Sequence, residues 1–209
     1  MMIPARSDLA QSKNIARLKY SILIALLIFY SLVTVARNPA WKDNFSIWAN
    51  TVEKSPDNPI VHGGLGLAYQ ERGFLDEAIR EFTTAIALGP NMAKSHYNIA
   101  RAYEEKGLFE NAIDAYQKAV ELNPEYTDAY FNLANLYMRL QLRKDAIDAY
   151  RRVIELDPAD LEAYNNLGVA HAMQGELDKA VGLWQKVLET DPDNPKAKDN
   201  LAEAKQMMN

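Results

Sequence analysis

The chain has 209 residues, of which 48% are hydrophobic and 24% charged, a composition that supports a folded core and is not typical of disorder. It contains no cysteine, which excludes disulfides, thiolate catalysis and cysteine-based zinc sites. Residues 1–57 carry seven basic and four acidic residues, a balance of +3, whereas residues 58–209 carry sixteen and twenty-four, a balance of -8. Because phosphate binding requires clustered positive charge, the acidic main body argues against a nucleic-acid partner.

An uncharged apolar run, residues 20–36 (YSILIALLIFYSLVTVA), follows a basic segment at residues 1–19. As a helix it would span roughly 26 Å, which is the short end of what a bilayer core requires. Four basic residues precede the run and two follow it closely. The positive-inside rule therefore predicts a single-pass anchor with a cytoplasmic N-terminus and the rest of the chain on the extracytoplasmic (periplasmic or lumenal) side. A buried core helix and a cleaved signal peptide are the alternative interpretations.

The rest of the chain repeats with a period of 34 residues. Prolines keep this step at Pro56, Pro90, Pro124, Pro158 and Pro192. Alanines keep it at Ala78, Ala112, Ala146 and Ala180, and large aromatics at Phe82, Tyr116, Tyr150 and Trp184. Two adjacent series, Leu65, Ile99, Leu133 and Leu167 and then Gly66, Ala100, Ala134 and Gly168, keep it too. Each unit is thus predicted to form two helices that approach closely at the small residues and are wedged by the aromatics.

Glycines are expected to end the first helix of each unit in a left-handed conformation at Gly73, Gly107 and Gly175. Gln141 occupies this position in the third unit, at a cost in stability. The prolines end the second helix and begin the link to the next unit.

On these residues the chain resembles the tetratricopeptide repeat (TPR) family. The resemblance covers residues 59–192 and implies an all-α superhelix (α-solenoid). Its repeat domain, residues 58–192, holds four hairpins at residues 59–92, 93–126, 127–160 and 161–194. A capping helix is expected at residues 195–209, and a half repeat in the junction, residues 37–57, where Asn44, Trp48, Thr51 and Pro56 keep the second-helix pattern. Residues 32–90 resemble, more weakly, the membrane-to-repeat junction of transmembrane-and-TPR glycosyltransferases.

Asparagines also recur every 34 residues, at Asn98, Asn132, Asn166 and Asn200. The resemblance places them on first helices, which line the concave face, where an amide can pair with the backbone of an extended peptide. The series resembles the ladder along the groove of the O-GlcNAc transferase repeats. Alternatively, the asparagines join adjacent repeats. Tyr97 and Phe131 are expected to present exposed rings to the same face, and Arg101, Arg139, Met138 and Met173 lie close by, all residue types enriched at binding hot spots.

Residues with catalytic spacing are not found in the sequence. The three histidines lack a metal-binding spacing, and GGLG at 63–66 lacks the Lys-Ser/Thr of a phosphate loop. We therefore expect no catalytic residue, metal site or cofactor, and predict a membrane-anchored scaffold, not an enzyme, that binds a partner protein or peptide in the concave groove of repeats two to four. The alternatives are a repeat region or accessory relative of a membrane glycosyltransferase that positions acceptor proteins, and a coat formed by self-association.

Overall fold

The computed structural model describes residues 44–208, together with Tyr20 and Ile24. Ten α-helices make up this part of the chain. They are α1 (Asn44–Lys54), α2 (Pro59–Glu71), α3 (Leu75–Leu88), α4 (Ala93–Glu105), α5 (Phe109–Leu122), α6 (Thr127–Arg139), α7 (Arg143–Leu156), α8 (Leu161–Met173), α9 (Leu177–Thr190) and α10 (Pro195–Met207).

From α2 onward the helices form hairpins, α2–α3, α4–α5, α6–α7 and α8–α9, and α10 has the register of a further first helix. Each first helix has 13 residues and each second helix 14. The turn inside each hairpin contains one left-handed residue, with φ of 78° at Gly73, 80° at Gly107 and 82° at Gly175. Gln141 takes this conformation in the third hairpin, with φ of 60°. The expected position of the strained residue is therefore confirmed.

Close contact between a small residue on the first helix and an aromatic on the second holds each hairpin together. A Cβ atom added to Gly66 would lie 2.5 Å from Phe82, and one added to Gly168 would lie 2.5 Å from Trp184. The two inner hairpins pair alanine with tyrosine instead, and Tyr116 and Tyr150 are fully buried there. Glycine is thus paired with phenylalanine or tryptophan, and alanine is paired with tyrosine.

The chain divides into two units, Met1–Lys54 and Ser55–Asn209. The first unit contributes α1, a helix at the position predicted for the half repeat, in which Thr51 Oγ1 donates to the Ile47 carbonyl at 2.7 Å. The predicted anchor at residues 20–36 and the basic segment before it lie outside the described residues, apart from Tyr20 and Ile24. Within the part of the chain that is described, no helix has both the length and the apolar character needed to cross a membrane.

Candidate functional site

A polar cavity of about 380 Å³ lies between the first helices α4 and α6. We call it the polar cavity, and its lining residues are Arg101, Glu104, Glu105, Tyr116, Asn132 and Arg139. Three of the residues predicted to bind a partner, Arg101, Asn132 and Arg139, therefore come together here.

Glu104 is the centre of the polar cavity. Its carboxylate accepts from Tyr116 Oη at 3.0 Å and, across the repeat boundary, from Arg139 Nη1 at 2.6 Å. Burial, and then the charge of Glu104, raise the pKa of Tyr116, so that this hydroxyl remains a neutral donor. The second ion pair, Arg101 to Glu105, is longer at 3.8 Å. The Arg101 and Arg139 side chains are 42% and 54% exposed, so the rim of the cavity carries accessible donors.

Tyr97 and Phe131 are partly buried, and the prediction of exposed rings is wrong. Tyr97 packs against Tyr126 and Tyr116 with ring centroids 4.9 and 5.9 Å apart. Phe131 meets Tyr150 edge-on at 6.0 Å. Both rings are partly buried because each contacts the second-helix aromatic of its own repeat. This repeat position therefore takes part in packing. Burial accordingly raises the pKa of Tyr97.

The four asparagines of the predicted ladder have different surroundings. Asn98 is buried, with 6% of its surface exposed. Asn132 Nδ2 donates to Tyr97 Oη at 3.0 Å, and Asn166 Nδ2 lies 3.4 Å from Asn135 Oδ1, each across a repeat boundary. Those bonds favour the alternative interpretation, in which asparagines join adjacent repeats. Asn200, by contrast, lines a second cavity.

This second cavity, about 270 Å³, lies among α8, α9 and α10. We call it the apolar cavity, and its lining residues are Val169, Ala172, Met173, Leu177, Trp184, Asn200, Glu203, Ala204 and Met207. It brings together Met173 and Asn200, two further residues predicted to bind a partner. Both are on first helices or their equivalent, as in the polar cavity.

The two cavities occupy equivalent places in the repeat. The residues Arg101, Glu104, Glu105, Tyr116, Asn132 and Arg139, moved on by two periods, become Val169, Ala172, Met173, Trp184, Asn200 and Met207. All six of these equivalents line the apolar cavity. Both cavities therefore belong to one surface between successive first helices, which we call the first-helix groove.

Moving the polar-cavity residues on by one period gives a third, middle position of the same groove, between the two cavities. Its residues are Asn135, Met138, Arg139, Tyr150, Asn166 and Met173. The Tyr150 hydroxyl donates to Asn135 Oδ1, next to Asn166. Arg139 also lines the polar cavity and Met173 the apolar one, so the three positions are continuous. The groove thus changes from charged through amide-rich to apolar side chains between α4 and α10.

Sequence reasoning missed Glu104, Tyr116, Trp184 and Met207 as groove residues. The 34-residue register contained the signal, because every lining position of the polar cavity has an equivalent that could have been read from the sequence. Tyr116 and Trp184 have large aromatic side chains, which are typical of core residues, and both are indeed buried.

His62 and His96 bond groups of the repeat fold itself. His62 Nδ1 lies 2.7 Å from Glu81 Oε2, and its Nε2 lies 2.7 Å from the Pro56 carbonyl. His96 Nε2 repeats the second contact one period later, at 3.0 Å from the Pro90 carbonyl. Among the described residues, no group of three or more His, Asp or Glu side chains could hold a metal ion.

Comparison with known families decides the classification. A tetratricopeptide repeat model matches residues 63–127 and 131–195, and a second one matches residues 115–146. This chain belongs to the tetratricopeptide repeat family. The hairpin pairs, the left-handed turns and the small-to-aromatic contacts are accordingly those of a TPR superhelix.

Two curated relatives match part of this TPR chain. Protein O-mannosyl-transferase Tmtc2 of Drosophila melanogaster is 33% identical over 87 residues, which are 42% of this chain and 9% of that protein. Protein O-mannosyl-transferase tmtc2 of Xenopus laevis is 30% identical over 88 residues, or 42% of this chain and 10% of that protein. The chain therefore spans about a tenth of the length of the curated relatives it matches.

Solved TPR structures have the same architecture. The crystal structure of MamA is 29% identical, has a TM-score of 0.67, and aligns over 73% of this chain and 89% of MamA. The crystal structure of YrrB, described as a TPR protein with an unusual peptide-binding site, is 24% identical with a TM-score of 0.69, and aligns over 77% of this chain and 83% of YrrB. The likeness to YrrB extends to the fold alone.

Proposed function

We propose that this TPR protein is a scaffold that holds an extended segment of a partner protein in the first-helix groove, between α4 and α10. The observation that carries the proposal is the recurrence of one groove position three times in the same register. Half-buried Arg101 and exposed Arg139 and Met173 give this surface accessible donors and adaptable apolar contacts. Asn132, Asn166 and Asn200 place an amide at each of the three positions, and the first two also bond across a repeat boundary.

The dimensions of the groove favour an extended chain. Neighbouring packed helices lie about 8–10 Å apart, so two helix spacings cover roughly 16–20 Å. An extended chain advances about 3.3 Å per residue, and about six residues would therefore reach from the polar to the apolar cavity. Recognition of such a segment combines backbone bonding with side-chain pockets, which matches a groove that offers both amides and cavities.

The scaffold is further proposed to be tethered by the uncharged run at residues 20–36, with the repeats on the extracytoplasmic side. The support for this part is the sequence: seventeen residues without a charge, with more basic residues before the run than after it.

A second candidate role is suggested by the match to the two O-mannosyl-transferases. In that role, the repeats position an acceptor protein for a membrane glycosyltransferase, as a repeat region or as an accessory relative. The same groove would then bind the acceptor segment. The gene sequence immediately upstream distinguishes the two roles, because further membrane spans in the same reading frame would favour the transferase role.

Co-purification from native membranes tests the groove directly. We expect Arg139→Glu/Met173→Glu to lose a protein that the unaltered chain retains, because both changes fall where the cavities join. The matched control, Arg151→Glu/Leu142→Glu, also replaces one arginine and one apolar residue by glutamate, at exposed positions on and beside α7, and should retain it. Quantitative mass spectrometry compares the three samples. Equal recovery with both double variants would contradict binding in the groove.

A further inference from the structure

The equivalent cavities of the first-helix groove differ in chemistry. Arg101 and Glu104 of the polar cavity are replaced by Val169 and Ala172 in the apolar cavity, and Arg139 is replaced by Met207. Because the register of the helices is the same, the difference resides in the side chains. The chain thus contains its own comparison between two versions of one site, which have charged or apolar side chains at these three equivalent positions.

The apolar cavity has a rigid base and an adaptable rim. Trp184 is 3% exposed, and its indole Nε1 donates to the Asn165 carbonyl at 3.1 Å, which fixes the ring. Met173 and Met207 are 48% and 64% exposed. Methionine side chains adapt to the shape of a ligand, and grouped exposed apolar residues commonly mark an interaction site.

The size of the cavity limits what it can bind. Its volume is about 270 Å³, below the range of about 300–1,000 Å³ that is usual for small-molecule sites. A single large side chain is a closer match than a free ligand. Asn200 and Glu203 at the lining supply polar groups that can bond the backbone on either side of such a side chain.

We infer that the apolar cavity binds one large apolar side chain (leucine, methionine or an aromatic) of the partner segment, and that the polar cavity binds a polar part of the same segment about six residues away. This inference rests on the proposed function. It adds the placement of the bound segment along the groove, with its apolar side chain at α10 and its polar part at α4.

Selection from displayed peptides tests the inference on the full chain in lipid nanodiscs. The probe is a phage-displayed library of random peptides of about twelve residues, long enough to reach both cavities. The unaltered chain should enrich peptides with one large apolar residue. Val169→Arg/Ala172→Glu, which gives the apolar cavity the residues of the polar one, should remove that preference and weaken a selected peptide about 10-fold or more.

The reverse exchange and a surface variant complete the experiment. Arg101→Val/Glu104→Ala should enrich peptides with two apolar residues about six positions apart. Met207→Arg, at an exposed position, should weaken the apolar preference without entering the core. Thermal unfolding followed by circular dichroism verifies that each variant folds.

The outcomes separate the two proposals. The selected peptides could bind the unaltered chain, lose binding to the Arg139→Glu/Met173→Glu variant, and yet share no large apolar residue. That result would overturn this inference and leave the proposed function standing. The same holds if the preference survives both Val169→Arg/Ala172→Glu and Met207→Arg. Failure of every displayed peptide to bind the groove would overturn the proposed function as well.

Discussion

At the residue scale, the contact between a first-helix glycine and a second-helix aromatic leaves the least room for change. A Cβ atom at position 168 would lie 2.5 Å from Trp184 Nε1, which also donates to the Asn165 carbonyl. We therefore expect Gly168→Ala to lower the free energy of unfolding by about 1–3 kcal/mol, as overpacked cores do. Urea denaturation followed by circular dichroism measures the change.

Gly182 provides the matched control for that prediction. It lies within α9, and a Cβ atom there would meet no atom of the described residues within 4 Å. Gly182→Ala should raise the free energy of unfolding by about 0.5–1 kcal/mol, because glycine is a poor helix former. A similar loss of stability in both variants would contradict a specific contact between Gly168 and Trp184.

His62 links stability to pH. Burial alone would lower its pKa, but the hydrogen bonds with Glu81 and the Pro56 carbonyl favour the charged ring and raise the pKa above 6.5. The stabilisation is therefore complete below the pKa of the unfolded state, about 6.5, and is lost as pH rises through the higher folded-state pKa. We expect the chain to be more stable at about pH 6 than at about pH 8 on this account.

The variant His62→Gln isolates this effect, since glutamine can bond the same carbonyl but does not titrate. The difference in unfolding free energy between the unaltered chain and His62→Gln should favour the unaltered chain more at about pH 6 than at about pH 8. Urea denaturation at both pH values measures it. A difference that is the same at both pH values would contradict the assignment to His62.

At the scale of the elements, Gln141 is the residue least suited to its backbone. With φ of 60° it occupies the left-handed conformation that Gly73, Gly107 and Gly175 provide in the other hairpins. We expect Gln141→Gly to raise the free energy of unfolding by about 1 kcal/mol, because glycine adopts this conformation without a steric cost.

Gln174 is the control for the turn, since it has φ of -90° beside Gly175 in the next hairpin. Gln174→Gly should destabilise the fold by about 0.5–1 kcal/mol, through the greater freedom of glycine in the unfolded chain. Urea denaturation of the two variants should therefore give changes of opposite sign. Changes of the same sign would show that strain at Gln141 is not the cause.

The helices and turns could be predicted from the sequence because one 34-residue period fixes them several times over. Pro90 and Gly107, for example, bound the same first helix, α4, from opposite ends. The side-chain partners of Tyr97 and Glu104 could not be predicted in this way. Tyr97 accepts from Asn132, and Glu104 accepts from Arg139, and both contacts depend on the angle between neighbouring hairpins. Periodicity contains no direct measure of that angle.

At the scale of the whole molecule, the orientation in the membrane is the most consequential prediction. The chain has no cysteine, so single cysteines introduced by Ser7→Cys and Asp193→Cys are unambiguous labels. We expect a membrane-impermeant maleimide to label position 193 in intact cells or vesicles of native orientation, but to label position 7 only after permeabilisation. The reversed pattern would place the repeats in the cytoplasm and change the set of accessible partners.

The candidate site could be predicted in part, because the register identified the face but not its chemistry. Arg101, Asn132 and Arg139 line one cavity and Met173 and Asn200 another, as a shared face requires. Asn98 is buried, and Met138 lies between the cavities, partly buried against the core. The contrast between the two cavities lies in positions two periods apart, such as Arg101 and Val169, whose chemistry the repeat pattern leaves open.

Photo-crosslinking in native membranes tests the central claim, that the first-helix groove binds a partner, most directly. A photoreactive amino acid is placed at position 139 or 173 in the groove, and at the exposed Arg151 of α7 as the control. We expect positions 139 and 173 to crosslink the same partner protein, and position 151 not to crosslink it. Crosslinks from position 151 alone, or from the groove only to a second copy of this chain, would contradict the groove as a partner-binding site and would favour the second-helix face or self-association.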